Sequence, residues 1–136
     1  MPGEEDTAVF RILIADDHEL LRRGLRLLLD SHDGWEVCGE ATDGLDCVEK
    51  TKELMPDLVL VDMTMPGIDG LEATRRIRSE APDVDVLMLS QYESCQMLSA
   101  ALSVGARGFV SKMDASRELV KAIETILTEA PLQGHA

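Results

Sequence analysis

Apolar residues recur along the chain with two different periods. Phe10-Arg-Ile-Leu-Ile-Ala15 is a short β-type run, and behind it Leu20, Leu21, Leu25, Leu28 and Leu29 fall at helical spacing. Trp35-Glu-Val-Cys-Gly-Glu-Ala41 partly alternates, as a half-buried strand does. Leu45, Val48 and Leu54 mark a second helix, which Pro56 closes because proline disfavours helix in the residue before it. Leu58-Val-Leu-Val61 is a continuous run, the signature of a central strand covered on both faces. Turn residues crowd Met65-Pro-Gly-Ile-Asp-Gly70, and a helix over Leu71, Ala73, Thr74 and Ile77 stops before Pro82. Val84 to Leu89 reads as a fourth strand ending near Ser90. Met97, Leu98, Ala101 and Leu102 form a fourth helix with Gly105 as its C-terminal cap, and Phe109-Val110 a short fifth strand. Leu119, Val120, Ile123, Ile126 and Leu127 give the clearest helical stripe of all.

Strict alternation of strand and helix predicts an α/β fold, a parallel sheet with helices on both faces. Five strands fit the doubly wound order 2-1-3-4-5, a flavodoxin-like (βα)5 unit. The domain is expected over residues 10–129, after a flexible lead-in over 1–9 and before a tail over 130–136 that holds Pro131 and Gly134. In such a sheet ligands bind beyond the carboxyl ends of the strands, at the point where strand order reverses. The residues that end the strands therefore carry the functional question.

Composition narrows the answer. The chain has 136 residues, 45% of them apolar, enough for a core and against disorder. A net charge of −13 argues against a nucleic-acid surface, which needs clustered cations. No apolar run approaches the roughly 20 residues that cross a bilayer, and the acidic start MPGEEDTA lacks the features of a signal peptide. The expectation is a soluble, cytoplasmic domain with no membrane association. Cys38, Cys47 and Cys95 are odd in number and lack CxxC spacing, so they read as small apolar residues. The Arg75-Arg76-x-Arg78 cluster reads as a solvated helix face.

Strand 1 ends in Asp16-Asp17, strand 3 in Asp62, strand 4 at Ser90 and strand 5 at Ser111-Lys112. Each aspartate alone is as well explained as a turn former or helix cap. Together they are not. Strands 1 and 3 are neighbours, so three carboxylates converge, and each pair about 4 Å apart costs about 4 kcal/mol at an effective dielectric near 20. A dication plus one lysine compensates them, and Mg²⁺ suits such a site because it takes one or two carboxylates and keeps waters and a phosphate oxygen.

These residues resemble the receiver domain of bacterial two-component response regulators. The resemblance rests on Ile12-Leu-Ile-Ala-Asp-Asp-His18, on Asp57-Leu-Val-Leu-Val-Asp-Met-Thr-Met-Pro-Gly-Ile-Asp-Gly70, on Ser90, on Gly105-Ala-Arg-Gly-Phe109 and on Lys112, across roughly residues 10–129. The stretch from Ile12 to Leu25 looks most like the NarL/FixJ-type subfamily, whose members usually carry a C-terminal helix-turn-helix. The resemblance implies that Asp62 is the phosphoacceptor for a sensor histidine kinase. It implies that Asp17, Asp62 and the carbonyl of Thr64 bind Mg²⁺ directly, with Asp16 acting through water. Lys112 and Ser90 would hold the phosphoryl oxygens, and Ser90 and Phe109 would form the switch. Thr64 and Tyr92 would flank the path of attacking water and modulate dephosphorylation. Such a domain catalyses its own phosphorylation and dephosphorylation and is not a turnover enzyme.

Two positions depart from the family pattern. Serine stands at 90 where threonine is frequent, and Met113 follows Lys112 where many members have proline after a cis bond. The rivals fit less well. An FMN-binding module wants a Ser/Thr/Gly-rich phosphate loop where this chain has Asp16-Asp17-His18-Glu19, and a haloacid dehalogenase wants a second aspartate at Thr64. A Toprim-type nuclease needs a basic groove. A stand-alone or pseudo-receiver interaction module is the remaining alternative. No helix-turn-helix pattern follows residue 129, so the expectation is an excised domain of a longer transcription regulator that reaches DNA only through that missing domain. Apolar excess on helix 4, and on helix 1 beside helix 5, predicts a weak homodimer that tightens on phosphorylation.

Overall fold

The computed structural model describes residues 9–91 and 95–133. Along the chain run β1 (Phe10–Ala15), α1 (Glu19–Asp30), β2 (Trp35–Ala41), α2 (Gly44–Leu54), β3 (Leu58–Asp62), α3 (Gly70–Glu80), β4 (Asp85–Ser90), α4 (Cys95–Ser103), β5 (Gly108–Ser111), a single 3-10 turn (Lys112–Asp114) and α5 (Ala115–Gln133). All strand pairs are parallel, in the order β2-β1-β3-β4-β5.

The continuous apolar runs of the central strands are explained by their two faces. Ile12 and Ile14 of β1, with Leu58 and Leu60 of β3, pack with Leu25 and Leu29 of α1 and with Leu119 and Ile123 of α5. Leu13 and Ala15, with Val59 and Val61, pack on the other side against Cys47 and Val48 of α2, Ala73 and Ile77 of α3 and Ala101 of α4. Successive side chains alternate between the two cores, as a strand's period of two requires. In β2 the register slips opposite Ile12 and Leu13, so that Cys38 is the extra residue of a bulge. Gly39 next to it has no room for a side chain, since a Cβ would come within 2.8 Å of Leu54 Cδ1.

One detail differs from the sequence reading, and two extend it. Helix α5 continues through Pro131 to Gln133. Leu20, one of the residues at helical spacing in α1, is 81% exposed, because the stripe that meets the sheet runs through Leu25 and Leu29. Arg78 is not solvated: it donates to the carbonyls of Pro82 and Val84 and packs over Gly105, tying the end of α3 to β4 and to the α4–β5 turn. The lead-in, except Val9, lies outside the described residues. Among the described residues no peptide bond is cis, Lys112–Met113 included, and no helix is long and apolar enough to cross a membrane.

Candidate functional site

Parallel strands all end on one side, and that geometry assembles the acidic centre. Ala15 of β1 is in register with Val61 of β3, so Asp16 and Asp62, each one residue further on, stand side by side. Asp62 is in register with Leu89, and Ser90 with Ser111, which brings Ser90 and Lys112 to the same edge. Lys112 sits on the 3-10 turn after β5, whose backbone is held where the Ser111 Oγ accepts from Met113 N at 3.2 Å.

Asp16 and Asp62 are almost completely buried and use their oxygens in the same divided way. Asp16 Oδ1 accepts from His18 N at 2.8 Å, and Asp62 Oδ1 accepts from Thr64 N at 3.2 Å. Each Oδ2 faces inward. Lys112 Nζ lies 3.1 Å from that of Asp16 and 2.9 Å from that of Asp62, so both inward oxygens share one ammonium. The aspartates are thus turn formers through one oxygen and site residues through the other. Asp17 is exposed at the mouth, and His18 Nδ1 stands 3.3 Å from its Oδ1.

Electrostatics follow from burial. Loss of water pushes the Asp62 carboxyl above its ordinary range, Lys112 pulls it back, and Asp16 adds to the rise. Burial alone would lower Lys112, but Asp62 and Asp16 outweigh it and hold the ammonium above its ordinary range. Three carboxylates against one ammonium leave the centre with excess negative charge. Oxygen donors of Asp16, Asp17 and Asp62 lie within 4.8 Å of one another, in a group that His18 joins. A hard dication fits this donor set: its ligands are carboxylate oxygens, two of them buried with a single ammonium between them.

The remaining expected residues are distributed around this centre. Ser90 is buried, and its hydroxyl contacts Met97 Sδ of α4 at 3.7 Å. Phe109 is half-buried on the α4 side of the sheet, packed against that core. Thr64 is exposed beside Asp62. Tyr92 lies outside the described residues. Met63 and Met65 are buried and underpin the loop between β3 and α3. Cys47 is a buried thiol that desolvation pushes up to about 12, consistent with an inert apolar role; Cys38 is half-buried. The Cys95 side chain lies outside the described residues.

Arg22 escaped the sequence reading. From α1 it donates to the carbonyl of Asp16 at 2.8 Å and to Glu40 Oε1 at 2.7 Å, bracing the β1–α1 loop against β2. Arg26 also pairs with Glu40, and Lys50 Nζ donates to the Glu40 carbonyl. The one available signal was position: Arg22 lies on the first turns of the helix that follows the acidic pair, within a side chain's reach of the strand ends. Met97 was seen only as an apolar helix residue, and its contact with Ser90 depends on how α4 packs.

A family model described as the response regulator receiver domain matches residues 12–124. The response regulator UvrY of Escherichia coli K12 is 41% identical over 118 residues, which are 87% of this chain and 54% of UvrY. GacA of Pseudomonas viridiflava is 39% identical over 118 residues, 87% of this chain and 55% of GacA. The chain therefore spans about half the length of the curated relatives it matches. Among solved structures, a LuxR-family two-component response regulator from Aurantimonas sp. SI85-9A1 has a TM-score of 0.84 at 37% identity, over 88% of this chain and 86% of that one. A chain of the CheX–CheY–BeF3–Mg²⁺ complex from Borrelia burgdorferi has a TM-score of 0.84 at 27% identity, over 90% of this chain and 93% of that one. Motif, strand order and whole-chain similarity agree, and the chain belongs to the response regulator receiver domain family.

Proposed function

We propose that this domain is the phosphoacceptor of a two-component signalling pathway and that Asp62 takes the phosphoryl group from a phosphohistidine of a sensor kinase. The observation that carries this reading is Asp62 Oδ2: a buried carboxylate oxygen at the end of β3 whose partner is an ammonium at 2.9 Å. In the transfer an Asp62 oxygen forms the new O–P bond as the P–N bond breaks, and the electron pair leaves with the imidazole nitrogen. The product is an acyl phosphate. Lys112 moves its ion pair from the carboxylate to the phosphoryl oxygens, and Ser90 exchanges its weak contact with Met97 for a hydrogen bond to the same group. Asp17, Asp62 and the Thr64 carbonyl would hold Mg²⁺, with Asp16 acting through water; when bound, the ion neutralises charge on the transferring group. Mg²⁺ is favoured by the oxygen donors here and by the Mg²⁺ in the Borrelia complex.

Output follows from the charge change. Phosphorylation replaces one negative charge by about two and adds acceptor oxygens. Ser90 moves toward them, and Phe109 turns into the space released beside α4, which changes the α4–β5–α5 face. Thr64 and Tyr92 modulate hydrolysis of the acyl phosphate from the rim. The acceptor is consumed in each transfer, so the domain is a switch and not a turnover enzyme. Its setting is the cytoplasm, its output is transcription through a DNA-binding domain, in line with a similar structure named a DNA-binding response regulator and a relative named a transcriptional regulatory protein, and a weak homodimer tightens on phosphorylation.

Incubation with a small acyl-phosphate donor and Mg²⁺, read by intact mass, tests the central claim. One phosphoryl group is expected, labile in base and absent from Asp62→Asn. Full incorporation in Asp62→Asn, or an adduct stable in base, would show that Asp62 is not the acceptor.

A further inference from the structure

His18 occupies the position before α1 where a side chain would ordinarily cap the helix, yet it makes no such bond. Its backbone is extended there, and the ring folds back over the acidic centre. Nδ1 lies 3.0 Å from Asp16 Oδ1, 3.3 Å from Asp17 Oδ1 and 3.4 Å from Lys112 Nζ. One ring nitrogen of His18 and one oxygen from each of Asp16, Asp17 and Asp62 all fall within 4.8 Å of one another. An octahedral ion with ligands at roughly 2.0–2.2 Å holds opposed donors about 4.0–4.4 Å apart, so small movements bring all four onto one ion. The ring is 62% exposed, so no packing prevents that movement.

Asp16 Oδ2 and Asp62 Oδ2 are buried and have one ammonium between them, Lys112 Nζ at 3.1 Å and 2.9 Å, which leaves this donor set short of positive charge. Carboxylates alone make a hard site. An imidazole nitrogen adds a borderline donor, which favours ions along the series Mn²⁺ to Ni²⁺ well above Mg²⁺.

We propose that His18 Nδ1 becomes a protein ligand to the divalent ion of this centre when that ion is a borderline transition metal, beside the oxygen donors that suit Mg²⁺. The proposal rests on the metal-site reading above and adds a fourth donor to it. Asp16 Oδ1, already fixed by the His18 N–H, orients the ring. The solvent-facing Nε2 keeps its proton once Nδ1 is engaged.

The test uses Mn²⁺ and Ni²⁺ on the unmodified chain, on His18→Ala and on Asp17→Asn. Pulsed electron paramagnetic resonance of the Mn²⁺ form is expected to show coupling to an imidazole ¹⁴N that disappears in His18→Ala. By calorimetry, His18→Ala should lose about tenfold or more in Ni²⁺ affinity while Mg²⁺ affinity changes by less than about threefold. A wild-type spectrum without ¹⁴N coupling, coupling that persists in His18→Ala, or equal losses for Ni²⁺ and Mg²⁺ would each overturn the assignment of His18. Failure of the underlying metal-site reading looks different: Mn²⁺ would fail to bind, or would bind undiminished to Asp17→Asn.

Discussion

Asp62 is a carboxylate held under conditions that favour its neutral form. Burial raises its pKa above the ordinary 3.8, Asp16 adds to the effect, and Lys112 offsets only part of it. The folded domain therefore keeps the Asp62 proton to higher pH than the unfolded chain does. Between the two values the folded state binds more protons, so this residue's contribution to stability falls as pH rises through its folded value. Asn at 62 keeps the shape and removes the charge, while Lys112 retains Asp16 at 3.1 Å. In metal-free buffer at neutral pH, Asp62→Asn is expected to melt above the wild type, with Tm rising on the order of 3 °C for each kcal/mol gained. The gap should narrow as pH falls toward 3.8. Added divalent ion reverses the comparison, because it stabilises the wild type by mass action and the variant less. Calorimetric melts with and without the ion check this. A variant that melts lower in metal-free buffer would mean that the Lys112 pair dominates the residue.

At the scale of elements, the loop from β3 to α3 is closed by a glycine. A Cβ at Gly70 would stand 2.3 Å from the carbonyl oxygen of Asp62 and 2.7 Å from Met63 Cα. Gly70 N also donates to the Met63 carbonyl, and Met63 N to that of Leu89. Backbone cannot yield there without moving the acceptor. Gly70→Ala is expected to cost roughly 1–3 kcal/mol by urea unfolding, as overpacking does, and to weaken metal binding as well. Gly24, helical and with nothing within 4 Å of its missing Cβ, is the control: Gly24→Ala should stabilise by about 0.5–1 kcal/mol. Equal effects at both positions would discount the close approach. These cases also show what sequence reveals. Continuous apolar runs such as Leu58 to Val61 announced central strands, and the strand-end rule then located Asp16, Asp62, Ser90 and Lys112. Side-chain directions were not legible. Which oxygen of Asp16 turns inward, where Arg22 and Arg78 reach and what Ser90 touches are set by packing between elements distant in the chain. Which leucines of α1 are buried was not legible for a related reason: several stripes fit a leucine-rich helix, and only the sheet decides.

The whole molecule is acidic, with a net charge of −13, so two copies repel at long range. At physiological salt that repulsion is screened beyond about 8 Å, and short-range apolar contact decides association. Val9, Leu45, Met55 and Met113 are exposed singly along the chain, whereas α1 and α4 each expose two leucines on one helix. On α1, Leu20 and Leu27 are 81% and 74% exposed, with the bare Gly24 between them at i+4, which makes a flat line open to close approach. On α4, Leu98 and Leu102 are only 38% and 49% exposed. The α1 line, beside α5, is therefore the proposed contact of the homodimer. Four leucines buried in such a pair contribute about 1.5–3 kcal/mol each, against roughly 4–15 kcal/mol of lost rigid-body freedom, so the dimer is weak. Coupling to the site has a short path. Helix α1 starts directly after Asp16-Asp17-His18, and Arg22 ties its second turn to the Asp16 carbonyl at 2.8 Å. A charge added at Asp62 therefore acts on the helix that carries the contact. Sedimentation velocity of the unmodified and phosphorylated forms is expected to show a concentration-dependent dimer that tightens on phosphorylation. Leu27→Lys should abolish it without lowering stability, since the residue is solvent-exposed. Dissociation by Leu102→Lys instead would move the contact to α4, and monomers at high concentration in both states would remove the dimer altogether.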